Sequence, residues 1–226
     1  MVGCSAGRIA RSPYGLDDGV LRGCHSSMSE FFDPSKEVCK HGKRLPHWQQ
    51  GEVMQFVTFR LGDSMPEAKL RKWSQERKVW LGHHPKPWED ATEKAYHERF
   101  TREMEDGLDA GYGSCLLRSK EYRKQLEAVL LYDEGVMVEH HAWVIMPNHV
   151  HLLFRPMAPI ADLLRKWKGI SARKIGQGGI WQRGYRDTLV RDGRHFMNAV
   201  RYIRRNPLKL KAGDFTLWES ERAKNV

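Results

Sequence analysis

The stretch from Met146 to Phe154 (MPNHVHLLF) constrains the possible fold of this chain more than any other part of the sequence. The apolar and β-branched residues that follow its proline are typical of a strand. Because side chains alternate along a strand, His149 and His151 share one face, while Val150 and Leu152 share the other. Two imidazoles on one face can hold a divalent metal ion and leave its other positions open to substrate. The same spacing also fits a hydrogen-bonded core pair or a half-exposed strand face.

The patterning around this stretch predicts an α+β fold. Strand patterns cover residues 53–60, 136–146, 149–155 and about 181–191, and the tight turn before His149 makes the second and third strands an antiparallel hairpin. Helical patterns lie after the first strand, after the third strand and after the fourth. This order predicts a ferredoxin-like split β-α-β fold with an antiparallel sheet, a helical insertion after the first strand and an added C-terminal helix.

The domain organisation follows from composition along the chain. Residues 1–45 contain scattered Gly, Ser, Pro and charged residues without a period, which predicts a flexible leader. Residues 46–220 form the predicted domain, and residues 221–226 a short tail. The chain contains no apolar run near 18 residues and no signal-peptide core, so we expect no membrane partner. The four cysteines form no C-x-x-C pair, which predicts reduced thiols in the cytoplasm.

The charge of the chain points to a polyanionic partner. The formal net charge is +10, and between Arg165 and Lys211 the only acidic residues are Asp187 and Asp192. We therefore predict a phosphate-binding surface in the last third of the chain, next to the histidine strand. The basic residues of the predicted helix 159–175 could instead form an ordinary solvent-exposed face that binds no phosphate. The candidate DNA-binding residues are Arg165, Lys166, Lys168, Arg173, Lys174, Arg183, Arg186, Arg204 and Arg205.

A tyrosine and an asparagine on the last predicted helix provide a second candidate pair. Tyr202 and Asn206 are four residues apart and therefore lie on one helical face. A phenol oxygen can act as a covalent nucleophile towards phosphorus, and an amide oxygen can complete a metal site with two histidines. The alternative is that Tyr202 packs in the core and that Asn206 simply ends the helix before Pro207.

Three segments together, MPNHVHLLF (146–154), WQRGYRDTLVRD (181–192) and YIRRNP (202–207), resemble the single-tyrosine HUH transposases. Within that superfamily the chain is most similar to the REP-associated tyrosine transposases, over about residues 45–218. The resemblance implies that His149 and His151 are metal ligands, that Tyr202 is the nucleophile and that Asn206 is the third ligand. It also implies Mg²⁺ or Mn²⁺ as the cofactor, single-stranded DNA with hairpin structure as the substrate, and a bacterial cytoplasmic protein associated with the nucleoid.

The expected function is therefore that of a metal-dependent transposase or endonuclease. It would cleave and rejoin single-stranded DNA through a 5′-phosphotyrosine intermediate, as a monomer or as a homodimer. One alternative is a domesticated hairpin DNA- or RNA-binding protein that no longer cleaves. Another is a basic structural protein in which the histidines are merely buried.

Overall fold

An antiparallel sheet forms the centre of the structure, which is a computed structural model that describes residues 29–41, 47–85, 88–176 and 178–226. Strands β1 (Cys39–His41) and β2 (His47–Gln49) form a separate two-stranded ribbon. The main sheet has the order β6-β3-β5-β4-β7, and all of its neighbours are antiparallel. Its strands are β3 (Gln55–Arg60), β4 (Val138–Ile145), β5 (His149–Pro156), β6 (Arg186–Leu189) and β7 (Thr216–Glu219).

The helices lie in the insertion and on both faces of the sheet. The insertion contains α1 (Glu67–His83), α2 (Asp90–Tyr96), a π-helical turn (His97–Thr101) and α3 (Arg102–Asp109). The other helices are α4 (Lys120–Leu131), α5 (Ile160–Lys174), α6 (Gly193–Arg205) and α7 (Glu221–Lys224), with 3₁₀ turns at Leu116–Arg118 and Asn206–Lys209. None of the helices in the described part of the chain has the length and apolarity needed to cross a membrane. The predicted ferredoxin-like α+β fold, with its helical insertion and added C-terminal helix, is confirmed.

Two hydrophobic cores lie on opposite faces of this sheet. On one face, Val150 and Leu152 of β5 pack with residues of α4 and α5, including the fully buried Trp167. On the other face, Leu153 of β5 packs with residues of α6, including Phe196. Because both faces are covered, β4 and β5 are buried along almost their whole length.

Helix α6 is positioned at its start by a side-chain cap. The Asp192 carboxylate accepts a hydrogen bond from the backbone N–H of His195 at 2.7 Å. The helix ends at Asn206, before Pro207, as the sequence predicts. This fixes the start and the end of the helix that carries Tyr202.

Part of the predicted leader is attached to the main sheet. Residues 1–28 and 42–45 lie outside the described residues. In between, the backbone N–H of Phe32 bonds to the carbonyl of Val190 at 2.9 Å, and that of Met54 bonds to the carbonyl of Glu30 at 3.0 Å. The folded part therefore includes residues 29–41, which the sequence assigned to a flexible leader because they show no period.

The end of the chain is more ordered than the sequence predicts. Residues 221–226, which we assigned to a short tail, include α7, in which Ala223 is completely buried. Just before it, β7 pairs with β4 as an extra edge strand that the pattern did not indicate. The fourth predicted strand is shorter than expected, since only Arg186–Leu189 are paired as a strand and Trp181 forms an isolated bridge with Leu61.

Candidate functional site

The two histidines of β5 point to the same face of the sheet, as their spacing predicts. Their Nε2 atoms lie 3.0 Å apart. However, α6 covers this face, so His149 is only 1% exposed and His151 only 2%. The local pattern left open whether the pair is buried, because the position of α6 over this face depends on contacts that are distant in sequence.

Neighbouring polar groups orient both imidazole rings. The Asn148 amide oxygen accepts a hydrogen bond from Nδ1–H of His149 at 2.8 Å, since the amide nitrogen of Asn148 donates elsewhere. Nδ1 of His151 lies 2.8 Å from the Thr58 hydroxyl on β3. When Thr58 accepts this hydrogen bond, both Nε2 atoms direct lone pairs towards the same point. Hydrogen-bond partners on the ring nitrogen that does not bind the metal ion fix the tautomer of metal-binding histidines.

Burial keeps both histidines neutral. It lowers the pKa of His149 to about 3. It also lowers the pKa of His151 well below its usual value, and the neighbouring His149 lowers it further. Neutral imidazole is the form that binds metal ions.

Asn206 completes a donor set with the histidines. Its amide nitrogen lies 3.3 Å from Nε2 of His151, and its amide oxygen is buried without a hydrogen-bond partner. A half-turn of the amide exchanges these two atoms and directs the oxygen at the histidines.

These residues fit a divalent cation. Two ligands that bind one cation at right angles, each at about 2.1 Å, lie about 3.0 Å apart, which matches the separation of the two imidazole nitrogens. Within the described ranges, no three His, Cys, Asp or Glu side chains are grouped to hold a metal ion. The candidate metal site therefore depends on the amide of Asn206 as its third ligand.

Tyr202 lies beside this donor set. Its ring meets the ring of His151 edge-on at 5.1 Å, and it meets the ring of Phe56 edge-on at 5.7 Å. Burial raises the pKa of this phenol, and the nearby Glu105 charge raises it further. The structure therefore brings all four predicted catalytic and metal-binding residues together within one chain.

The cations of α5 lie away from this site. Helix α5 packs on the face of the sheet opposite the histidines, so the part of the predicted phosphate-binding surface that this helix carries is not next to the histidine face. The Lys168 ammonium donates hydrogen bonds to the carbonyls of Gln182 and Gly184, and burial lowers its pKa to about 8. The helix carries five of the predicted DNA-binding residues, which are Arg165, Lys166, Lys168, Arg173 and Lys174.

Four further predicted cations occupy different environments. Arg186 lies at the tyrosine, with its guanidinium 3.4 Å from the Glu105 carboxylate. Arg204 bonds to Glu219 at 3.0 Å and to the carbonyl of Ala223 at 3.1 Å, so it holds α6 to the C-terminal segment. Arg183 and Arg205 are exposed.

A cleft of about 210 Å³ leads from the surface to this site. His149 and Asn206 line it, together with Asp109 at the end of the insertion and Lys209 after α6. The acidic residues of the insertion carry no sequence pattern that would have assigned them to the site. Asn148 lies within the quoted MPNHVHLLF segment, but its role becomes visible only from its hydrogen bonds.

Comparison with known proteins supports the resemblance but covers only part of the chain. No protein-family model matches the chain. A stretch of 96 residues is 25% identical to the REP-associated tyrosine transposase of Escherichia coli strain K12. This stretch is 41% of the chain and spans 58% of the length of that relative, less than two thirds. The match confirms the resemblance that the three motifs indicated.

One solved structure is also similar, a REP-associated tyrosine transposase bound to a REP hairpin. The two chains are 15% identical, each is covered over 74% of its length, and the TM-score is 0.43.

Proposed function

We propose that this chain is a metal-dependent transposase or endonuclease that cleaves and rejoins single-stranded DNA at hairpin-flanked sites. The observation that carries this proposal is the convergence of Tyr202 with His149, His151 and Asn206 in one chain. The sequence similarity to a REP-associated tyrosine transposase supports the same class of activity. The protein would then act on DNA at the bacterial nucleoid.

His149, His151 and Asn206 would hold Mg²⁺ or Mn²⁺. A bound cation would polarise the scissile phosphate and stabilise the negative charge that develops during its displacement. Two imidazole nitrogens suit Mn²⁺ better than Mg²⁺, which prefers oxygen ligands, so Mn²⁺ is the first choice for assays.

Tyr202 would act as the nucleophile. Its phenol oxygen forms a bond to phosphorus while the bond from phosphorus to the 3′-oxygen breaks, which leaves a 5′-phosphotyrosine and a free 3′-hydroxyl. Attack by a 3′-hydroxyl on the phosphotyrosine reverses these bond changes and reseals the strand. The edge-on contacts with His151 and Phe56 hold the ring in place for this attack.

The shape of the cleft favours an unpaired strand. His149 and Asn206 line a cleft of about 210 Å³, which is too small to admit a duplex. Arg186, whose positive charge lies near Tyr202, is a candidate for contact with a phosphate there. The exposed Arg183 and Arg205 are candidates for contacts with flanking phosphates.

A covalent-adduct assay tests this proposal. The protein is incubated with Mn²⁺ and hairpin-bearing single-stranded oligonucleotides and then analysed on a denaturing gel. We expect an adduct with the unaltered chain and none with Tyr202→Phe, which keeps the ring contacts. An adduct with Tyr202→Phe would refute the mechanism. Binding of the hairpin by the unaltered chain without an adduct would instead support a binding protein that does not cleave.

A further inference from the structure

The insertion contains one long helix beside the sheet. Helix α2, the π-helical turn and α3 follow one another without a break from Asp90 to Asp109. A π-helical turn takes one residue more than an α-helical turn, so Glu93 and Glu105, which are 12 residues apart, are separated by about three full turns. Asp109 follows one turn after Glu105. The carboxylates of Glu93, Glu105 and Asp109 therefore lie along one face of this helix, which we call the acidic face.

Each carboxylate of the acidic face forms an ion pair with a cation outside the insertion. The pairs are Glu93 with Arg191 at 3.4 Å, Glu105 with Arg186 at 3.4 Å, and Asp109 with Lys209 at 3.8 Å. Arg186 begins β6, Arg191 lies between β6 and α6, and Lys209 follows α6. We call these three cations the basic track.

The basic track passes the candidate site. Arg186 is paired with Thr58 in the sheet, and Thr58 is in turn paired with His151. Directly paired residues of neighbouring strands point to the same face, so Arg186 lies on the histidine face, two strands away from His151. Lys209 lines the same cleft as His149. Two cations of the track are therefore located at the candidate site, and each is paired with a carboxylate of the insertion.

The ion pairs between the acidic face and the basic track are of a kind that another anion can replace. All six side chains are partly exposed, from 29% for Glu105 and Asp109 to 81% for Lys209. Exposed ion pairs contribute little to stability, and salt screens them. Among the residues that the structure describes between 67 and 109, none belongs to either hydrophobic core of the sheet. The contacts that hold the acidic face to the track are therefore polar.

We propose that the basic track binds the phosphates of a single DNA strand and that the acidic face occupies this track in the free protein. This inference rests on the proposed function, which makes a DNA strand the ligand. Guanidinium and ammonium groups bind carboxylates and phosphates alike, so the acidic face takes the place of the DNA backbone. When a strand binds, its phosphates replace the three carboxylates. The ion pairs that must break lower the affinity for every strand, so a strand without further contacts to the protein stays unbound.

The test measures the Kd of the full chain for a fluorescent, hairpin-bearing single-stranded oligonucleotide. A cover variant replaces the three carboxylates of the acidic face by amides of the same shape (Glu93→Gln, Glu105→Gln and Asp109→Asn). We expect its Kd to be about 10-fold lower than that of the unaltered chain, because no ion pair then competes with the phosphates.

A control variant removes the same charge from other faces of the insertion (Glu67→Gln, Glu98→Gln and Glu103→Gln). Glu67 and Glu98 form ion pairs with cations of their own helices, and Glu103 is exposed. The Kd of this variant should differ from that of the unaltered chain by less than about 3-fold, since salt screens exposed charges beyond about 10 Å.

The salt dependence of binding separates displacement of the acidic face from a general gain in positive charge. Salt weakens DNA binding, but it also weakens the ion pairs that must break, so the two effects oppose one another in the unaltered chain. The slope of log affinity against log salt concentration should therefore be steeper for the cover variant and unchanged for the control variant. A track variant (Arg186→Gln, Arg191→Gln and Lys209→Gln) should have a slope about two lower than the cover variant, because it loses three phosphate contacts.

Equal Kd values for the cover and control variants would overturn the proposal, and so would a track variant that binds as tightly as the cover variant. If the triple change prevents folding, Glu105→Gln and Glu103→Gln give the same comparison. The Kd of Glu105→Gln should then be about 2- to 3-fold lower than that of Glu103→Gln, and equal values would overturn the proposal.

The outcomes also distinguish this inference from the proposed function. Tighter binding by the cover variant without a covalent adduct in any chain would support the track and refute cleavage. A covalent adduct with the unaltered chain, together with equal Kd values for the cover and control variants, would refute only the role of the acidic face. Failure of all these chains to bind the oligonucleotide would refute both.

Discussion

Replacing Asn148 by alanine should weaken both the fold and the candidate metal site. Asn148 is 1% exposed and links two parts of the structure. Its amide nitrogen donates to the carbonyls of Leu108 at 3.0 Å and Tyr112 at 3.4 Å, while its oxygen accepts from His149 at 2.8 Å. The substitution therefore leaves buried polar groups of the insertion and of the histidine without partners.

The size of the effect follows from these three contacts. A buried hydrogen bond contributes about 1 kcal/mol, and an unpaired buried group costs about 1–3 kcal/mol, so we expect a loss of about 3 kcal/mol in the free energy of unfolding. With a urea dependence of about 2 kcal/mol per molar, the unfolding midpoint should fall by about 1.5 M. Loss of the group that orients His149 should reduce Mn²⁺ affinity by about 10- to 100-fold.

Urea unfolding and titration calorimetry with Mn²⁺ measure the two effects separately. Asn148→Asp is the matched control, because it keeps the acceptor for His149 but loses both donors to the insertion. It should lose stability and retain Mn²⁺ affinity. An Asn148→Ala variant with an unchanged midpoint would show that the link between α3 and the histidine is not stabilising. Equal Mn²⁺ affinity in Asn148→Ala and the unaltered chain would refute the role of the amide in the metal site.

Three further predictions use other parts of the structure. A mixture of Tyr202→Phe and His149→Ala chains should form no covalent adduct, because Tyr202 and the histidines meet within one chain. An adduct in the mixture would mean that Tyr202 of one copy acts together with the histidines of a second copy. Burial lowers the pKa of His140 to about 4 from 6.5, so below about pH 6.5 the unfolded chain binds a proton that the folded chain does not. His140 should therefore account for a loss of about 3 kcal/mol in the free energy of unfolding between about pH 6.5 and pH 4, and His140→Gln should lose correspondingly less than the unaltered chain over this range. Lys168→Met should lower the free energy of unfolding by about 1 kcal/mol without changing the salt dependence of DNA binding. Arg183→Gln should instead reduce the slope of log affinity against log salt concentration by about one. A reduced slope for Lys168→Met would contradict the assignment of its ammonium to the two carbonyls.

Local patterns in the sequence were sufficient for the main elements and for the direction of the site residues. Alternation along β5 predicted that His149 and His151 share a face, and helical spacing predicted that Tyr202 and Asn206 do too. Both rules depend only on backbone geometry within one element. The predicted order of strands and helices likewise required only short-range patterns, together with the known restrictions on how such elements connect.

The remaining features depend on contacts between distant parts of the chain. No local pattern shows that α6 covers the histidines, or that Leu108 of the insertion bonds to Asn148. The charge count also does not show the contacts of Lys168 and Arg204, because a basic residue that bonds to backbone carbonyls looks the same in the sequence as one that does not. The extra strand β7 is short and half-buried, and it forms only by pairing with the exposed edge of β4.

If the proposed function holds, the position of Tyr202 on α6 also limits how many DNA ends one copy of the protein can bind. Under the proposed mechanism, the cut 5′ end is bound covalently to α6, and Asn206 follows one turn later. The bound strand and the third metal ligand would then move together if this helix moved. One copy would then bind a single 5′ end covalently. Joining ends from two separate loci would need either a pair of copies acting side by side or two successive rounds on one copy.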